Sequence, residues 1–247
     1  MRKQFRTFTN IGMLGILIGC AHELTPVAIS PTADPHEEIV LQEAFLEHSR
    51  KLQVDMLAPE RFDVSISYLK RAQKGNRKGE SREEILDLLG YSKAHLYQAR
   101  KEADTMRVRM PGILKSRKAA LKAGSPCLQA EMKSLDQKLK GFTEAGGAMT
   151  PQEMTSLQKD YLNLELTCIK NSRLITVLKI LDEARKENAE RIIPQAYAKA
   201  IKKFNLAEKL IEKDRYGDVL INNAIHDASI SAKRMVFLLQ SEQRSRI

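Results

Sequence analysis

The sequence predicts an all-α protein, and three observations carry that prediction. Its 247 residues lack Trp and are rich in Ala, Leu, Lys, Glu and Gln, the better helix formers. Apolar residues recur three and four apart along most of the chain from Asp34 onward. Prolines stand where that period restarts, at Asp34-Pro35, Ala58-Pro59, Thr150-Pro151 and Ile193-Pro194, which suits the first turn of a helix. The expected architecture is an elongated antiparallel helical bundle with two similar helical hairpins and a long central helix.

The chain divides into a leader (1–19), a flexible tether (20–33) and a helical domain (34–247). Arg2, Lys3 and Arg6 precede an apolar segment from Ile11 to Ile18 and then small Gly19, the order of a secretory signal. Eight residues of helix extend roughly 12 Å against a hydrocarbon core of roughly 30 Å, so cleavage is expected rather than a permanent span. Residues 20–33 are polar, contain Pro26 and Pro31, and show no sustained period.

Asp34-Pro35 opens the first helix, whose stripe of Ile39, Leu41, Phe45, Leu46 and Leu52 predicts helix to about Met56. Pro59 restarts the pattern with Phe62, Ile66, Leu69 and Ala72. Gly75 and Gly79 among charges predict a loop over Lys74 to Arg82, with Ser81 capping a helix through Ile85, Leu89, Leu96, Ala99 and Ala103 to about Arg109. After Met110-Pro111-Gly112 a shorter helix runs from Ile113 to Ala123. Ser125-Pro126 opens another through Met132, Leu135 and Leu139, and Gly141 to Met149 reads as a turn.

Thr150-Pro151-Gln152-Glu153 is a capping box, in which Thr and Glu each satisfy a free amide of the other. The helix behind it, with Leu157, Tyr161, Leu164, Cys168, Leu174, Leu178 and Leu181 on one face, is expected to reach about Ile192. Some 40 residues would make a spine roughly 60 Å long. Pro194 then starts a helix with Tyr197, Ile201, Phe204, Ala207 and Leu210. A break at Arg215 to Asp218 leads to a last helix from Val219 to Leu239, and the tail from Ser241 is expected to fray.

Two stretches resemble each other, about 58–106 and 193–240. Pro59, Phe62, Ile66, Leu69 and Ala72 match Pro194, Tyr197, Ile201, Phe204 and Ala207 at an offset of 135, and after one gap Ile85, Leu86 and Ala94 match Val219, Leu220 and Ala228 at 134.

The chain carries 41 basic and 31 acidic residues, and without the first 19 residues, which hold three basic and no acidic ones, its net charge is +7. That balance suits an anionic surface such as lipid headgroups or cell-wall polymer; an exported protein rarely meets nucleic acid. Arg107, Arg109, Lys115, Arg117, Lys118 and Lys122 form a run without an acidic residue, which reads either as a contact for an anionic surface or as a solvated face. Cys127 and Cys168 lie at heights that differ by about one turn in an antiparallel hairpin, so they are either a disulfide or two buried thiols. The five histidines show no ligand spacing, and no phosphate-cradling loop, nucleotide fingerprint or nucleophile motif occurs. Neither an enzyme, a metal nor a cofactor is expected.

Leu17-Ile18-Gly19-Cys20 resembles the lipobox of bacterial lipoproteins. The resemblance implies cleavage before Cys20, a diacylglyceryl group on its thiol and acylation of the new amine. Two or three acyl chains hold a protein stably where one holds it weakly. Ala21, standing where Asp would retain the protein, implies transfer to the outer membrane, with the body facing the periplasm of a Gram-negative bacterium. Ala58-Pro59-Glu60-Arg61-Phe62 with Ala72, and more loosely Ile193-Pro194-Gln195-Ala196-Tyr197 with Ala207, resemble a helical domain of uncharacterised function in Gram-negative lipoproteins, often placed ahead of an OmpA-like peptidoglycan-binding domain. This sequence ends near where that second domain would begin, so peptidoglycan binding is not carried over. Gly90-Tyr91 with Ala94 resembles part of a tetratricopeptide motif, but the units are not contiguous at 34 residues. The expected role is that of a structural or adaptor component with an envelope protein partner; the alternative is a binding module for an anionic polymer such as peptidoglycan.

Overall fold

The computed structural model describes residues 24–124, 128–144, 146 and 149–245. Among them the fold is all-α, with ten helices and no strand: α1 (Pro35–Lys51), α2 (Val54–Leu57), α3 (Pro59–Lys78), α4 (Arg82–Arg109), α5 (Pro111–Ala123), α6 (Gln129–Glu144), α7 (Pro151–Lys186), α8 (Ala189–Ile192), α9 (Pro194–Lys213) and α10 (Val219–Arg244). No described helix is long and apolar enough to cross a membrane.

Helix starts follow the local chemistry. The Asp34 carboxylate accepts from the His36 amide at 2.8 Å, and both Ser81 with Glu84 and Thr150 with Glu153 close reciprocal capping boxes. Several ends differ from expectation. The first helix stops at Lys51 rather than Met56, because Gln53 takes the left-handed conformation and a separate turn, α2, follows. Asn188 does the same after α7, which therefore ends at Lys186 with 36 residues, about 54 Å, and not near Ile192. The expected loop from Lys74 is helical to Lys78; Gly75 is a packing site beside Ile85 of α4, and only Gly79, at φ 71°, turns the chain. The expected turn at Gly141 is helical to Glu144.

The segment expected as a tether is docked over residues 24–33. The Val27 amide donates to the Gly90 carbonyl of α4 at 3.0 Å, while Ile29 and Ala33 pack on the core. Gly90 is needed for this approach, since a Cβ there would lie 2.7 Å from the Val27 carbonyl oxygen.

Helices α3 and α4 pack along each other, and α1 and α2 lie against both. In the C-terminal part α9 and α10 pack along each other, with α7 and α8 against both. The backbone recurs at an offset of 135: Gln53 at φ 61°, ψ 27° and Asn188 at 61°, 32°; Ala58 at −145°, 60° and Ile193 at −136°, 59°. Helix α1 ends at Lys51 and α7 at Lys186; α3 ends at Lys78 and α9 at Lys213. In the following helices the offset of 134 is corrected. Buried Ile85, Ser92, Leu96, Ala99 and Ala103 correspond to buried Ile221, Ala228, Ala232, Met235 and Leu239 at 136. The turn between α9 and α10 is longer than that between α3 and α4, so the offset must grow there, not shrink.

Helix α7 serves two cores. Leu157, Tyr161, Leu164 and Cys168 belong to the core of α1–α6, whereas Leu174, Val177, Leu181 and Ala184 pack with α9 and α10. Its second half thus occupies, toward α9 and α10, the position that α1 occupies toward α3 and α4.

Candidate interaction surfaces

Cys20 and Cys127 lie outside the described residues. Cys168 is buried on α7. Of the basic run, Arg109, Lys115, Lys118 and Lys122 are exposed, and the three lysines share the face of α5 turned away from its buried stripe of Ile113, Leu114 and Ala120. Arg107 is half-buried; it is paired with Asp104 and donates to the Leu52 carbonyl at 2.9 Å.

Arg117 leaves the run. It is only 7 % exposed, and its guanidinium binds Asp136 of α6 through Nε and Nη2, both at 2.8 Å, and the Gln53 side-chain oxygen through Nη1 at 2.9 Å. As a contact for an anionic surface it is therefore corrected: position 117 falls in register with Ile113 and Ala120, so the helix turns it inward. Asp136 also accepts from the Tyr161 hydroxyl at 2.8 Å, and burial, then the Asp136 charge, push that hydroxyl's pKa far up. Nearby Asp55 has one carboxylate oxygen, Oδ1, buried without a partner among the described residues; burial raises its pKa against the opposing charges of Arg117 and Lys140. Four elements, α2, α5, α6 and α7, meet at these groups, and the Gln53 bond helps to hold the left-handed turn.

A second polar tie fixes the C-terminal helices. Glu165 of α7 is buried and receives Arg215 at 2.7 Å and the Tyr216 hydroxyl, both from the turn between α9 and α10. Lys170 pairs with Glu208 and Glu212 of α9 at 2.8 and 2.7 Å. These contacts set α9 on α7 while leaving its other side outward.

That outward side is an open groove of about 1020 Å³ along α8 and α9, with Pro194, Ile201 and Leu206 as its apolar floor and Lys199, Lys202 and Lys209 on its rim. Among the described residues none of these three lysines has an acidic side chain in ion-pair reach; Lys203 does, pairing with Asp227 at 2.8 Å. Only the start of the equivalent surface near the amino terminus is covered; further along, Val64, Ser67, Arg71 and Lys74 of α3 are exposed, as Lys199, Lys202, Leu206 and Lys209 of α9 are. Met56, Leu57, Ala58 and Pro59 are all buried, whereas Arg191 and Pro194 are exposed and Ile192 and Ile193 half-buried. Helix α6 makes the difference: it packs on α2 and α3, and its Thr143 hydroxyl donates to the Met56 carbonyl at 2.8 Å.

Neither the buried cluster nor the open groove was read from the sequence. Arg117 was readable as a charge on an apolar stripe, and Tyr161 as a polar tip on another, but Asp136 and Gln53 join them only through the fold. No family model, curated protein or solved structure matches the chain, so the lipobox and helical-domain resemblances rest on the residues quoted for them.

Proposed function

We propose that the chain is a non-catalytic, lipid-anchored adaptor on the periplasmic face of a bacterial outer membrane. On this reading it is an elongated antiparallel bundle in which a long central helix carries two similar helical hairpins. The observation that carries the reading is the unequal cover of two like segments: Met56–Pro59 is closed by α6, while Arg191 and Pro194 stand in solvent beside the open groove of α8 and α9. Such an arrangement spends one hairpin on the chain's own core and leaves the other for contact. Leu17-Ile18-Gly19-Cys20 supplies the anchor.

Two experiments test this. Palmitate labelling should mark the wild type and not Cys20→Ala; equal labelling refutes the anchor. Purification of the lipidated protein from envelope fractions should bring down protein subunits, and retention on purified cell wall without them refutes the adaptor. A second reading, binding of an anionic polymer such as peptidoglycan, is favoured by the shared exposed face of Lys115, Lys118 and Lys122.

A further inference from the structure

We propose that the open groove along α8 and α9 is a docking site for an amphipathic helix of a partner protein, apolar on one face and acidic on its flanks. The inference gives the adaptor reading its kind of partner and rests on that reading for its place in the envelope.

The molecule itself supplies the template. Where the chain passes through the same left-handed turn, short helix and proline-started helix near its amino terminus, the occupant is a helix, α6. That helix presents Leu135, Leu139 and Phe142 to the core and covers Met56 to Pro59. At the second place Arg191 and Pro194, the counterparts of buried Met56 and Pro59, are exposed, and the lengths of α9 and α3 are the same. A helix laid on a groove of this length buries one apolar stripe, as in other helix-in-groove recognition.

Charge selects the flanks. The N-terminal face has Asp55, Glu60 and Asp63, and α6 approaches it with Lys140, which acts electrostatically on Asp55. At an offset of 135 those positions are Glu190, Gln195 and Ala198, while Met56, Val64 and Ser67 become Arg191, Lys199 and Lys202. The groove itself is lined by Lys199, Lys202, Lys203 and Lys209 against one acidic residue, Glu190, so an occupant with acidic flanks complements it. A second copy of the same face would bring like charges together, which disfavours self-pairing.

The test uses the purified full chain and a labelled 16-residue peptide. The peptide has the sequence of Gln129–Glu144 with K133E, K138E and K140E, keeping the apolar stripe and reversing the flanks. Fluorescence anisotropy should show saturable binding that weakens about tenfold or more in the Lys199→Glu/Lys202→Glu variant and falls with added salt. Leu206→Asp, at an exposed apolar residue of the groove, should weaken it as well, with far-UV circular dichroism unchanged. The peptide without the three substitutions should bind more weakly. Lack of saturable binding, or equal binding to the double-lysine variant, overturns the proposal. So does a dimer of the protein alone that Lys199→Glu/Lys202→Glu dissolves, which makes the occupant a second copy, or phosphatidylglycerol vesicles displacing the peptide from this face. Failure of palmitate labelling at Cys20 would remove the anchor and leave these binding results as they stand.

Discussion

Arg117 grips Asp136 through two parallel N–H donors at 2.8 Å, a bidentate pair that ties α5 to α6 from a buried position rather than on the surface. The fork geometry and the extra bonds to Gln53 and Tyr161 satisfy the groups that burial would otherwise leave short of partners. Removing one member strands the other. Asp136→Ala is therefore expected to destabilise by about 3–5 kcal/mol, in the range for breaking a buried pair, whereas Arg117→Met/Asp136→Met together should cost well under the sum of the single changes. Urea unfolding of the four proteins measures this. A single-mutant cost under about 1 kcal/mol would place the pair with exposed ion pairs and refute its buried role.

Asp55 gives a pH-dependent prediction with a definite sign. Its folded pKa is raised above the ordinary 3.8, so the folded state holds that proton more tightly than the unfolded chain does. Stability contributed by the neutral acid is present below 3.8 and is lost as pH rises through the folded pKa. At neutral pH the charged carboxylate is a liability, and Asp55→Asn should raise the urea midpoint there. The gain should vanish as pH falls below 3.8. A gain that persists in acid would mean that the charge is not its cause.

The helices were legible in the sequence because their start signals are local: Asp34, Ser81 and Thr150 cap as their spacing predicts. The ends were less so. Gly75 and Gly141 look like breakers, yet helix continues through both, and at Gly75 the missing side chain serves packing instead. Gln53 and Asn188 adopt the same left-handed turn with different side chains, so no residue type announces it. The relation between α3 and α9 was visible as an offset of 135, but its continuation into α4 and α10 needed burial to set the register. Which face of α3 or α9 is covered depends on contacts far apart in sequence, and no local pattern encodes that.

Gly90 tests the docking of the amino-terminal segment. In a helix interior Ala is favoured over Gly by roughly 1 kcal/mol, but here its Cβ would meet the Val27 carbonyl at 2.7 Å, and the opposing atom is backbone with no rotamer to yield. Gly90→Ala should therefore release residues 24–33 instead of stabilising α4. The expected outcome is faster hydrogen exchange at the Val27 amide and earlier proteolysis within 24–33, with α4 itself intact. Unchanged protection at Val27 would show that the segment is held by other contacts.

The packing of α3 on α4 and of α9 on α10 allows an exchange between the two helix pairs. Ser65 and Ser92 donate their hydroxyls to each other's carbonyls at 2.7 and 2.8 Å, and the Gln42 amide donates to the Ser92 hydroxyl at 2.9 Å. Gln42 is 1 % exposed, and its Oε1 has no partner among the described residues. At the matching positions α7, α9 and α10 have Val177, Ala200 and Ala228, all buried. The same crossing is thus made once with a polar cluster and once without polar groups. Losing one member of a buried hydrogen-bonded set costs about 1–3 kcal/mol, whereas replacing all members by apolar groups of similar shape is close to neutral. Ser92→Ala alone should fall in the first range, because it strands the Gln42 amide. The triple variant Gln42→Val/Ser65→Ala/Ser92→Ala should recover most of that loss and also remove the orphaned Oε1. Denaturant midpoints of the single and triple variants decide the matter: a triple variant no more stable than Ser92→Ala would mean that the two crossings are packed differently despite their matching backbone.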